Sequence, residues 1–146
     1  PTSFILASRG DVEVGAGTTV LWDCGQPTIS PDLDYQNAAV VVARVISKPA
    51  PGRLCLDLGH KAVASEMPHP RVQILGLEDA TFQLHSEEHL VVETAQADHT
   101  PVGTVLYCLP RHVCPTVALH EEAVVVRDGR AVDRWQVVAR KRRITI

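Results

Sequence analysis

The chain reads as an all-β domain, an antiparallel β-barrel-like fold of about seven to nine strands. Three observations predict it. Val, Ile and Leu fall in short runs punctuated by Gly, Pro and Asp, a pattern of strands rather than helices. Asp128-Gly129 separates two β-rich runs, and Asp-Gly is a pair that favours positive φ in a two-residue type I′ hairpin turn. The 146 residues, 45% of them hydrophobic, suit a single domain able to bury a core without disulfides.

Taken in order, residues 20–23 follow a Gly15-Ala16-Gly17 turn and read as a strand. Residues 38–47 form a β-branched run that ends at Lys48-Pro49-Ala50-Pro51-Gly52, where the prolines cannot donate to a ladder and set a turn. Residues 53–58 alternate again and complete a strand, turn, strand unit. Residues 59–71 carry Pro68 and Pro70 and predict a surface loop with at most one helical turn. Strands are expected at 72–77, 89–94 and 104–109, and the hairpin pairs 122–127 with 130–138. Closing this array into a barrel would remove exposed strand edges.

A net charge of −3 and 4% aromatic residues argue against a nucleic-acid surface, which needs a basic face and stacking rings. The basic cluster Arg140-Lys141-Arg142-Arg143 reads as a solvated tail. Four cysteines without a C-x-x-C spacing, and no secretory or long apolar segment, predict a soluble cytoplasmic chain with reduced thiols and no membrane contact.

The segment Pro110-Arg111-His112-Val113-Cys114-Pro115-Thr116 carries the chemistry. If its backbone is extended, His112 and Cys114 emerge on one face roughly 6 to 7 Å apart at Cα. An imidazole and a thiolate suit Zn²⁺, and two protein ligands leave positions open for water or substrate. Two other readings stand beside this one. A free Cys is often just a small buried hydrophobe, and a neighbouring His could activate it as a nucleophile, although no oxyanion-turn motif accompanies it. Glu87 and Glu88 look like a catalytic acid and base, but strand neighbours face opposite ways. Glu87 and His89 would share a face, where one of them could orient a metal ligand; a charged loop capping a strand is the plainer alternative. Asp57 and Gly59 read as a strand end and a tight turn. Lys61 invites a Schiff-base role but reads as a structural residue or a support behind the site. The scattered His60, His69, His85, His99 and His120 read as surface or core residues.

Four motifs in the same order resemble the C-terminal domain of the D-threonine aldolase and D-serine dehydratase family, alanine racemase-like fold-type III pyridoxal-phosphate enzymes. Trp22-Asp23-Cys24-Gly25-Gln26 looks like its aromatic-Asp-x-Gly segment, Asp57-Leu58-Gly59-His60-Lys61-Ala62 like its Asp-x-Gly-x-Lys-Ala, and Ser86-Glu87-Glu88-His89 like its Ser-x-Glu-His. The His-x-Cys segment is the fourth. Gly103-Thr104 departs from the family's common Gly-Asp.

The resemblance implies that His112 and Cys114 hold the metal, with Cys leaning toward Zn²⁺, where members carrying Asp use Mn²⁺. It implies that Asp57, Lys61, Glu87 and His89 lie in or behind a cleft, and that the cofactor lysine belongs to an N-terminal barrel that binds pyridoxal phosphate. Pro1-Thr2 is similar to the end of that barrel's phosphate-binding loop, which makes Thr2 a cofactor-binding candidate. The chain is thus expected to be a domain of a larger lyase acting on β-hydroxy-D-amino acids, inert alone, partnered by its own barrel and by a second copy in a homodimer. Such a domain should expose an apolar docking patch. A stand-alone β-barrel binding module without catalysis is the rival, and it would show a polar surface.

Overall fold

The computed structural model describes residues 8–141. Among these residues are eight strands: β1 (Val41–Ser47), β2 (Arg53–Leu56), β3 (Val72–Ile74), β4 (Thr81–His85), β5 (Leu90–Glu93), β6 (Val105–Pro110), β7 (Glu122–Arg127) and β8 (Arg130–Gln136). Among the described residues the single α-helix is α1 (Val113–Leu119), between β6 and β7. Six strands form one curled antiparallel sheet in the order β3-β6-β1-β2-β5-β4, a half-barrel, while β7 and β8 stand apart as a hairpin. The all-β, barrel-like expectation holds.

Alternation builds the core. Ala43 and Val45 of β1, Val72 and Ile74 of β3, Leu90 and Val92 of β5, and Leu106 and Cys108 of β6 all point inward, and Leu54 and Leu56 of β2 join them fully buried. Several outward residues of β1 and β6 are apolar: Val42 pairs directly with Tyr107, and Val105 pairs with the exposed Arg44 beside them.

The two edge strands are not hydrogen-bonded to each other in the sheet. Side chains of the loop leading into β3 reach β4 instead: the His69 ring sits 5.7 Å from Phe82 and 5.6 Å from His85, and Arg71 Nη1 lies 3.4 Å from His85 Nδ1. A cleft of about 300 Å³ opens beside this seam, lined by Val72, Ile74, Phe82, Cys24 and Arg111.

The hairpin turn is as expected, with Asp128 at φ 49° and Gly129 at φ 71°, both positive as a type I′ turn requires. Three expectations are corrected. Residues 20–23 are not a strand: Thr18–Val20 form a 3-10 turn, the N–H groups of Leu21 and Trp22 donate back to Thr18 O, and Trp22 takes φ 57°. That backbone cannot join a ladder, and it tucks the Trp22 ring 5.0 Å from Tyr35. β4 is a strand where none was expected. Residues 59–71 are irregular as anticipated but not wholly superficial, because Val63 and Ala64 are buried in the core.

Candidate metal centre

β6 ends at Pro110, and the chain turns through Arg111 into extended backbone at His112 (φ −138°, ψ 102°) before α1 begins at Val113. Cys114 is therefore helical. The premise that His112 and Cys114 share one strand face is corrected. Pro115 allows it: as the third helical residue it lacks only an N–H that has no intrahelical partner anyway.

His112, as the N-cap, makes no side-chain cap bond. Asp23 caps the helix from a distance in sequence. Its Oδ2 accepts the Val113 N–H at 2.9 Å, while Oδ1 accepts the N–H groups of Gly25 (3.1 Å) and Gln26 (3.0 Å). The carboxylate is completely buried. Alongside, the Cys24 N–H donates to Pro110 O at 3.1 Å, and Gly25 packs so tightly on the Arg111 carbonyl that any Cβ would collide with it. The first motif is thus the clamp that aims the start of α1.

The segment after β2 reaches the same helix from the other side. The Ala64 N–H donates to Thr116 Oγ1 (3.0 Å), the Thr116 hydroxyl donates to His112 O (2.7 Å), and His120 Nε2 donates to Ala62 O (2.9 Å). Glu66, at the end of this loop, places Oε1 2.6 Å from His112 Nδ1. Cys114 is exposed, with its Sγ 3.3 Å from Thr18 Oγ1.

Residues 86–89 form a turn between β4 and β5, not a strand, which corrects the reading that Glu87 and Glu88 face opposite ways. Both reach one cation: Lys61 Nζ lies 2.8 Å from Glu87 and 3.0 Å from Glu88. The turn is sewn to the preceding motif by His60 N–H to Ser86 O (2.9 Å) and Lys61 N–H to Glu87 O (3.1 Å). The carboxylates of Glu87, first, and Glu88 hold the Lys61 ammonium above the ordinary lysine value, and Lys61 holds Glu87 below the ordinary carboxylate value. A lysine kept charged is not a nucleophile. The exposed His89 closes the turn with its main-chain carbonyl, which accepts the Ser86 N–H at 2.9 Å. The carboxylate on His112 is thus Glu66, not Glu87. Asp57 is structural: its Oδ1 accepts the Arg44 N–H at 2.6 Å and its own N–H donates to Arg44 O, pinning the end of β2 to β1. Thr2, Arg142 and Arg143 lie outside the described residues.

Asp23, Glu66 and Thr18 are the participants that sequence reasoning did not single out. For Asp23 a signal existed, since an Asp two residues before a Gly is the pattern of a side chain folding onto its own downstream N–H groups. Glu66 and His112 are 46 positions apart, and no spacing rule links them.

His85 lies beside the Ser86 turn and is pushed down to about 4, first by burial and then by Arg71 and His69, with His60 adding to it. Its folded-state value lies below the 6.5 of a free imidazole, so the folded chain prefers the neutral ring. The corresponding stability is complete above about pH 6.5 and is lost as pH falls through that value toward 4. Urea unfolding midpoints are expected to drop between pH 7 and pH 5, and His85→Gln should shrink that drop; an equal drop in both proteins would assign it to other groups.

Among the described residues, no helix is long and apolar enough to cross a membrane, and no group of three or more His, Cys, Asp and Glu could hold a metal ion. Any cation held at His112 and Cys114 would therefore have those two side chains as its candidate protein ligands. The donor set fits a borderline-soft cation, with an imidazole and an exposed thiol beside one helix start.

The domain as a whole, a curled strand half-barrel with a short helix and a hairpin, is of a class seen in other proteins. The putative serine dehydratase domain family matches residues 38–126, and this chain belongs to it. A D-threonine aldolase of an Arthrobacter species is 38% identical over 140 residues, 94% of this chain and 36% of that protein. An uncharacterised protein of Mycobacterium tuberculosis is 37% identical over 113 residues, 75% of this chain and 85% of that one. Among solved structures, D-threonine aldolase from Filomicrobium marinum superposes with a TM-score of 0.74 at 24% identity, covering 85% of this chain and 34% of that one. D-threo-3-hydroxyaspartate dehydratase from a Delftia species gives 0.68 at 23% identity, covering 83% and 37%. The chain thus spans about a third of the length of the D-threonine aldolase it matches. The relatives with named activities are lyases, aldolases and a dehydratase.

Proposed function

We propose that this chain is the metal-bearing C-terminal domain of a pyridoxal-phosphate-dependent lyase acting on β-hydroxy-D-amino acids, by dehydration as for D-serine or by retro-aldol cleavage as for D-threonine. The observation that carries this is the pair His112 and Cys114, an imidazole and an exposed thiol at one helix start, aimed by an Asp23 clamp. The Trp22 to Gln26 motif meets that start, the Asp57 to Ala62 motif meets the other end of α1 through Ala62 O and His120, and Ser86 to His89 braces the latter motif. The substrate class comes from the aldolase relatives, and a metal-free form of the hydroxyaspartate dehydratase points to a metal in that enzyme.

His112 and Cys114 would hold the cation, and the sulfur favours Zn²⁺ over Mn²⁺. Bound there, a zinc ion supplies Lewis acidity to the substrate's β-hydroxyl. Pyridoxal phosphate, as electron sink, would be held by a barrel domain that also supplies the Schiff-base lysine. Within this chain Lys61 braces the wall through Glu87 and Glu88, and the Thr18 hydroxyl can donate to the Cys114 sulfur. The exposed Val42, Val105 and Tyr107 patch offers the barrel, or a second copy in a homodimer, a surface to bury. A free thiol ligand suits a reducing compartment, the cytoplasm.

Metal analysis of the purified protein tests this. Wild type is expected to carry about one zinc per chain and His112→Ala essentially none. Equal, negligible metal in both, for this chain and for the lyase with its barrel, would end the proposal.

A further inference from the structure

The imidazole of His112 has two nitrogens, and only one can be offered to a metal while the other is engaged. We propose that Glu66 is the positioning residue of His112: its carboxylate takes the Nδ1 hydrogen, which fixes the ring and leaves Nε2 as the ligating atom. This inference rests on the metal reading above for its function, though not for its geometry.

The 2.6 Å separation between Glu66 Oε1 and His112 Nδ1 is that of a strong, charge-assisted bond. An ionised carboxylate has no hydrogen to give, so Nδ1 must donate. In a neutral ring that leaves the lone pair on Nε2 alone, the form a metal ligand needs. Both side chains are partly open to solvent, at 36% for His112 and 50% for Glu66, so the pair is not a sealed core contact.

Glu66 is delivered to this position by a backbone fixed on both sides. Before it, the Ala64 N–H is tied to Thr116 Oγ1, whose hydroxyl donates to the carbonyl of His112 itself. After it, the Met67 carbonyl accepts Arg71 Nε at 2.9 Å. Thr116 therefore couples the Glu66 loop to the same residue whose ring Glu66 holds, so the carboxylate and the imidazole cannot drift independently. A loop whose only task was to cover the core would not need its one terminal carboxylate directed onto this ring.

The test has two readouts, neither of them catalytic activity. Zinc affinity, measured in the full chain by competition with a chromogenic chelator, is expected to fall about 10- to 100-fold in Glu66→Ala, with Glu66→Gln losing less because its amide oxygen still accepts from Nδ1. Nitrogen-15 NMR of His112 in metal-free protein is expected to show hydrogen on Nδ1 in wild type and a shift toward the Nε2-protonated form in Glu66→Ala, with unchanged circular dichroism. Wild-type zinc affinity in Glu66→Ala would overturn the positioning role. If wild type binds no zinc, the metal reading fails and the tautomer decides alone: a Glu66-dependent Nδ1 hydrogen upholds the orientation, and an unchanged tautomer in the variant overturns it.

Discussion

Gly59→Ala should unfold the chain at markedly lower urea, with a loss of more than about 3 kcal/mol, among the largest of any single change. The reason is backbone against backbone. A Cβ at this position would fall inside the van der Waals envelope of the Glu87 carbonyl and of the Glu88 nitrogen. Neither is a side chain that can swing away, so accommodating one methyl group means separating two loops. Separation would break the main-chain bonds from His60 to Ser86 and from Lys61 to Glu87, and pull Lys61 off its two carboxylates. Because the same loop runs on to Glu66, the His112 contact should loosen as well. Far-UV circular dichroism through a urea titration measures the loss; a change below about 1 kcal/mol would show that the two loops can part at little cost.

Asp23→Ala should be nearly as severe, at about 3 to 5 kcal/mol. It strands three N–H groups in a buried site: those of Gly25 and Gln26 in its own turn and that of Val113 at the start of α1. Each buried donor left without an acceptor costs about 1 to 3 kcal/mol. Asp23→Asn separates the contributions. Its one oxygen can keep the Gly25 and Gln26 bonds, but its NH₂ then faces the Val113 N–H, so the turn should survive while the helix start frays. Unfolding measurements rank wild type, Asn and Ala in that order of stability, and zinc content should fall in the same order. An Asn variant as unstable as Ala would mean that the helix cap, not the turn, dominates.

How much of this was legible in the residues differs from element to element. The hairpin could be read because Asp128-Gly129 dictates its own backbone, a local rule needing no partner. Strands β1, β2, β5 and β6 could be read because β-branched runs with clear breakers leave few alternatives. Strand β4 could not, because its residues alternate only weakly and its one partner, β5, supplies what the pattern lacks. The run Val20-Leu21-Trp22 looked like a strand because its rings and branches are apolar, yet what buries Trp22 is a left-handed turn dictated by tertiary packing. Helix α1 was hidden by Pro115, a breaker in a ladder or a helix interior but neutral in a first turn. At the site, the His112 and Cys114 pair could be named as a candidate, whereas their supports could not. Asp23 and Glu66 reach it across 90 and 46 positions, distances that only the folded chain closes.

The placement of the cysteines also makes one sulfur chemically addressable. Cys55 and Cys108 are buried, and burial raises the Cys24 thiol and pushes Cys108 up to about 12, while Cys114 alone is exposed. Alkylating reagents act on accessible thiolates, so in the folded chain they discriminate among four identical functional groups by location alone. A fluorophore or spin label added under native conditions would report from the helix start beside His112, giving the candidate centre a built-in attachment point without any engineered residue.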